Sequence, residues 1–129
     1  MPFYFISHGG MKMITKQNYF DFTGIDLDIE LKKSKYDNRS KAVEIFLERI
    51  YTWCVAYLFD KYAYDIEDEE VTAEELEAFN KGVMYQIEYE LKNGHDGKLA
   101  NDTRMMWQRH GFMNITQDDS KRYSYYHRT

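Results

Sequence analysis

Between Ser40 and Gly94 the chain carries two long stretches of apolar residues at helical spacing, separated only by a short acidic loop. That arrangement narrows the possible folds more than any other feature. In the first stretch Val43, Phe46, Leu47, Ile50, Cys54, Tyr57, Leu58 and Tyr62 recur at steps that place them on one helix face. Glu44, Glu48, Arg49 and Lys61 fall off that face. Asp37-Asn38-Arg39-Ser40 supplies capping residues just ahead, so the spacing predicts a helix over about 40–62. Ile45, Trp53 and Phe59 widen the apolar surface beyond one stripe and predict a central helix, contacted on more than one side.

The second stretch has clear punctuation. In Thr72-Ala73-Glu74-Glu75 the Thr72 hydroxyl can accept from the Glu75 amide while Glu75 reaches back, a capping box. The acids there also suit the positive end of the helix dipole. Leu76, Phe79, Val83, Ile87 and Leu91 follow at steps of three and four, and Asn93-Gly94 is a stop signal. Two such helices with a short connection, Asp65 to Val71, are expected to form an antiparallel hairpin.

Weaker elements flank the hairpin. Thr15 can cap a short helix over about 16–22, ended by Gly24, with Tyr19, Phe20 and Phe22 as its apolar side. From Ile25 to Leu31 apolar and acidic residues alternate, which argues for a half-buried extended segment, with the start of a helix as the alternative. Residues 100–109 suit a third helix, capped by Asn101 or Asp102, carrying Met105, Met106 and Trp107, and stopped by Gly111. From Asn114 onward the chain is polar with interleaved tyrosines and reads as an extended tail. The expected fold class is mainly α: a small helical bundle built on a long antiparallel helix hairpin, with extended N- and C-terminal arms. Its parts are an N-terminal extension (1–13), a helical domain (14–112) and a C-terminal tail (113–129).

A length of 129 residues fits one domain, and a hydrophobic share of 43% suffices for one core. No apolar run approaches the roughly 20 residues that cross a bilayer. Met1-Pro-Phe-Tyr-Phe-Ile-Ser lacks the basic start of a signal peptide. The lone cysteine, Cys54, sits in an apolar helical pattern and reads as a buried thiol in a reducing cytosol. A net charge of −5 disfavours binding nucleic acid through a general basic surface. Charge is polarised along the chain, however. Asp65, Glu67, Asp68, Glu69 and Glu70 form an acidic face, whereas the last residues are basic and aromatic: Arg122, Tyr123, Tyr125, Tyr126 and Arg128. Disordered ends are normally poor in aromatics, and tyrosine gives much contact area for little entropy, so this tail points to a protein partner.

Nothing in the sequence assembles a reaction. His8, His95, His110 and His127 lack the spacing of a helical metal site, and Asp26, Asp28 and Glu30 lack the glycine and closing glutamate of a calcium loop. There is no glycine-rich phosphate loop, no nucleophile elbow and no paired-cysteine motif. A chain without catalytic residues, cofactor or metal, which acts by joining other protein chains, is the expectation.

The run Gln86-Ile87-Glu88-Tyr89 followed by Asn93-Gly94 resembles the second long helix of head–tail connector (adaptor) proteins of tailed bacteriophages. Ile14-Thr15-Lys16 leading to Phe22-Thr23-Gly24, and the helix bearing Trp53, also look like such proteins. The resemblance covers about 14–95; residues 1–13 have no counterpart and 98–112 fit poorly. It implies a virion protein of the neck, made in the host cytoplasm: a homo-oligomeric ring of about twelve copies. That ring would lie beneath the portal protein, meet the next neck or tail protein, and let DNA pass without specific binding or membrane contact. It further implies that the C-terminal residues Arg122, Tyr123, Tyr125 and Tyr126 form an arm docking on the portal or an adjacent subunit. The alternative is a small cytosolic acidic helical regulator that binds a single protein partner. A third reading, with Lys121, Arg122, Tyr123 and Arg128 stacking on single-stranded nucleic acid, is opposed by the acidic body of the chain.

Overall fold

Side-chain chemistry sets the start of two helices in the computed structural model, which describes residues 13–33 and 42–112. The Thr15 hydroxyl accepts from the Asn18 amide at 3.1 Å, and the Asn18 side chain accepts from the Thr15 amide at 3.0 Å, which starts α1 (Lys16–Thr23). The same reciprocal pair, Thr72 with Glu75 at 3.1 and 2.9 Å, starts α4 (Ala73–Asn93). Between them lie α2 (Leu27–Lys33) and α3 (Ala42–Tyr62), and α5 (Asn101–Arg109) follows. Among the described residues there is no strand, and the fold is a small helical bundle. The Asp37-Asn38-Arg39-Ser40 capping cluster lies outside the described residues, as do all but Met13 of the N-terminal extension and the whole tail.

The period-two reading of Ile25 to Leu31 is corrected here. Leu27 and Leu31, four apart, are buried on one face of helix α2, while Ile29 is 52% exposed. Two residues spaced by four satisfy both periods, so alternation over so short a run cannot separate strand from helix. What decides is the turn before it. The Asp26 carboxylate accepts from the Asp28 amide at 2.9 Å and the Asp26 carbonyl from the Glu30 amide at 3.0 Å. Acids at the start and Lys32 and Lys33 at the end also match the helix dipole.

α1 keeps its expected stop: Gly24, with φ 76°, donates its amide to the Phe20 carbonyl at 2.7 Å. Its apolar side is narrower than the sequence suggests. Tyr19 is buried, but Phe20 and Phe22 are about half exposed. α1 packs on α2 and α3, and Tyr19 is its buried residue.

α3 is central, touching α1, α2 and α4. Val43, Phe46, Leu47, Ile50, Cys54 and Leu58 are buried as the spacing requires, and Tyr51 joins them. Of the three residues expected to widen its inner surface, Trp53 packs against the core, whereas Ile45 and Phe59 are largely exposed. α3 ends without a glycine: Ala63 takes φ 55° and donates to the Phe59 carbonyl. α3 and α4 form the expected antiparallel pair, since Arg49 near the start of α3 meets Glu90 near the end of α4 and Tyr51 meets Phe79.

The most intimate helix pair is α4 with α5. Trp107 is fully buried and stacks on Phe79 with ring centroids 5.9 Å apart and planes 5° apart. Its indole lies directly over Gly82, and the Thr103 hydroxyl donates to the Gly82 carbonyl at 3.1 Å. Neither Asn101 nor Asp102 caps α5. The cap position is Ala100, without a side-chain cap bond, and its amide is taken by the Gln86 side chain at 3.0 Å. A tertiary contact thus does what a local cap was expected to do. Met106 and Trp107 face inward, while Met105 is 47% exposed.

Candidate interaction surface

The loop from Ala63 to Thr72 presents the acidic residues at the tip of the hairpin. Ile66 anchors it with a fully buried side chain, so Glu67, Asp68, Glu69 and Glu70 point to solvent around a fixed centre. The backbone between them is folded by its own carboxylates: Asp65 accepts from the Glu67 amide at 3.0 Å and Asp68 from the Glu70 amide at 2.8 Å. Two tyrosines fasten the loop to the bundle. Tyr51 donates to Glu67 at 3.3 Å, and Tyr64 donates to Glu75, the carboxylate of the capping box. Burial first, then the adjacent carboxylates, pushes both phenols well above their ordinary value, so both remain hydrogen donors. Burial works against the Glu75 carboxylate, but the bonds from Thr72 and Tyr64 outweigh it and its pKa is lowered. The loop is therefore an ordered acidic face held at five points.

Phe112, the last described residue, is fully buried and meets Tyr64 edge to face at 4.8 Å. The chain thus leaves α5 beside the acidic loop. The predicted tail residues Arg122, Tyr123, Tyr125, Tyr126 and Arg128 lie outside the described residues. Of the expected interaction residues, the five acids come together on one loop.

A second polar centre escaped the sequence reading. Glu90, on the inner face of α4, has a side chain with no exposed surface. Its Oε2 lies 2.9 Å from His95 Nδ1 and 3.4 Å from the Gln86 amide nitrogen. Arg49 Nη2 is 3.1 Å from Oε1, an ion pair by distance without the alignment of a hydrogen bond. Gln86 also donates to the Lys98 carbonyl at 2.9 Å, so the cluster ties α3, α4 and the turn into α5 together. A buried carboxylate without partners would cost several kcal/mol, so this cluster is a structural clasp whose members depend on one another. Its sequence signal is the pair Gln86 and Glu90, placed at helical steps from Phe79 and Val83 on the inward face.

A groove with a volume of about 380 Å³ runs between α1, α4 and α5. Tyr19, Phe22, Ile25, Met84, Tyr85 and Met106 line it, with Lys81 and Glu88 at its edges. The Lys81 ammonium lies over the Phe22 ring at 6.0 Å from the centroid. Burial, assisted by Glu88 and Glu30, pushes the Tyr19 phenol up to about 12.

No family model matches this chain. Searches of the curated proteins and of the solved structures likewise find no match.

Cys54 is completely buried, and burial pushes its thiol pKa up, which leaves it unreactive and consistent with its place in the core. Among the described residues, no group of three or more His, Cys, Asp and Glu side chains is disposed to hold a metal ion. None of the described helices is long and apolar enough to cross a membrane.

Proposed function

We propose that this chain is a structural assembly protein, a head-to-tail connector of a tailed bacteriophage virion. In this reading it forms a ring below the portal and extends the DNA channel. It has no catalytic role. The observation that carries the reading is the ordered acidic loop at the tip of the hairpin, beside which the chain leaves α5. An ordered acidic loop stands beside Phe112, from which a segment bearing Lys121, Arg122, His127, Arg128 and three tyrosines continues. An acidic loop on one copy and a basic, tyrosine-bearing segment on the next suit contacts between successive copies, because arginine pairs well with carboxylates and tyrosine adds contact area. Acids left facing a channel repel phosphates, so a duplex slides past without being held. The resemblance of Gln86-Ile87-Glu88-Tyr89 and Asn93-Gly94 to connector helices supplies the specific assembly, the portal and the next neck protein as partners.

The experiment is to mix the purified chain with portal protein and image the product by negative-stain electron microscopy, with light scattering for mass. Rings on the portal are expected. A chain that stays monomeric or dimeric beside unmodified portal would refute the connector reading and favour the single-partner regulator.

A further inference from the structure

The solvent side of α4 carries charges in a definite order. Glu77, Lys81, Tyr85, Glu88 and Lys92 follow one another at steps of three or four. At 3.6 residues per turn they fall within about 80° of each other, on one face of the helix. Glu88 and Lys92 are exposed, and Glu77 and Lys81 are partly exposed. The Glu88 and Lys92 side chains lie 3.7 Å apart. The Lys81 ammonium instead lies over the Phe22 ring and, among the described residues, joins no ion pair. The groove between α1, α4 and α5 follows this face, with Lys81, Tyr85 and Glu88 along it. A more polar hollow of about 220 Å³ shares Tyr85 and Glu88 with the groove and continues to Lys92 and Asp102.

Read toward the C-terminus, the face is acid, base, tyrosine, acid, base. A second copy laid antiparallel reads base, acid, tyrosine, base, acid, so each charge meets its opposite. Glu77 then faces Lys92 of the second copy, and Lys81 faces Glu88, because both pairs are centred between Met84 and Tyr85. A two-fold axis at that centre makes every pairing twice. A parallel copy would set like charges together, so the pattern selects one orientation. Phe22 and Tyr85, 51% and 36% exposed, supply the apolar contact near the centre. Any other partner needs the same charge order in reverse at helical spacing, and α4 of a second copy already has it.

We propose that the solvent face of α4 binds the same face of a second copy, antiparallel about a two-fold axis beside Tyr85. The groove between α1, α4 and α5 is covered in that dimer. Such a contact joins like surfaces, whereas copies around a ring meet through unlike ones. The dimer is therefore a state of the chain outside the ring, and either proposal can fail without the other.

The test is sedimentation velocity of the full chain over a range of concentrations, without portal. A monomer–dimer equilibrium that weakens in high salt is expected. Lys81→Glu and Glu88→Lys each turn two attractions into two repulsions, so each should weaken the dimer by about tenfold or more. Circular dichroism checks that both variants fold. Carrying both changes in one chain restores opposite charges across the axis, and the dimer should return to within about threefold of its original strength. Tyr85→Cys should form a disulfide-linked dimer on mild oxidation, at least about tenfold faster than Glu48→Cys on the exposed side of α3. Cys54 is buried and does not compete. A chain that stays monomeric at all concentrations overturns the proposal. So does a dimer that neither single change weakens, or a double variant as weak as the single ones. Growth beyond dimers would show contact between unlike surfaces and overturn it equally.

Discussion

Replacing Gly82 with alanine tests the packing of α5 on α4 with a change of sign. In an isolated helix the substitution stabilises by about 1 kcal/mol, because alanine loses less backbone entropy on ordering. In this bundle a Cβ at position 82 would stand 2.3 Å from Trp107 Nε1 and 3.0 Å from Cδ1. The indole cannot yield as the end of a flexible chain would, since it is fully buried and stacked on Phe79. Relief requires α5 to move away, which costs about 1–3 kcal/mol for overpacking. The same movement stretches the Thr103 bond to the Gly82 carbonyl, about 1 kcal/mol more. The expected net effect is a loss of about 1–3 kcal/mol, read by urea denaturation with tryptophan fluorescence and circular dichroism in parallel. Combining Gly82→Ala with Trp107→Leu should then cost less than the sum of the single changes, since the smaller side chain leaves room for the methyl group. If Gly82→Ala alone raises stability by about 1 kcal/mol, Trp107 does not lie against α4 and the account of that helix pair is wrong.

Other consequences can be measured on the same material. Ile50→Ala and Phe79→Ala, both at fully buried positions, should each cost about 2–5 kcal/mol in equilibrium denaturation, and a loss below about 1 would put them on the wrong face. Thr72→Ala removes the acceptor for the Glu75 amide and should cost about 1 kcal/mol; an unchanged midpoint would move the start of α4. Arg49→Ala leaves the Glu90 carboxylate buried without its ion pair and should cost about 3 kcal/mol, the lower end for a broken buried pair because Arg49 is itself partly exposed. A pair worth nothing in denaturation would mean that water reaches Glu90. Tyr19, Tyr51 and Tyr64 have pKa values raised above 10.0, so their share of stability is complete below that value and is lost as pH climbs through the folded values, about 12 for Tyr19. Phenolate absorbance should therefore lag that of free tyrosine and rise together with unfolding. Titration of all the tyrosines near 10.0 in a folded chain would contradict their burial.

Elements governed by neighbours in the chain were legible from the residues alone. The cap at Thr15, the capping box at Thr72, the stops at Gly24 and Gly94, and the inward stripe from Leu76 to Ile87 all follow from bonds or spacings within a few residues. Period and punctuation carried the helical bundle class for the same reason. Only the tertiary structure decided which apolar residues the bundle covers: Tyr19 and not Phe22 on α1, Leu27 and Leu31 and not Ile29 on α2, Met106 and not Met105 on α5. Each of those helices offers more apolar surface than its neighbours cover, and coverage depends on where another helix lies. Spacing puts Gln86 and Glu90 on the inward face of α4, but their partners, Arg49, His95 and the turn at Lys98 to Ala100, are assembled only by packing. Gly82 looks like a weak point in a helix until Trp107, twenty-five residues away in the chain, needs the space its missing side chain leaves. Local chemistry sets where these helices begin and end, because a cap and its amide are tied by the backbone. The close approaches depend on residues that the chain holds far apart and only packing brings together.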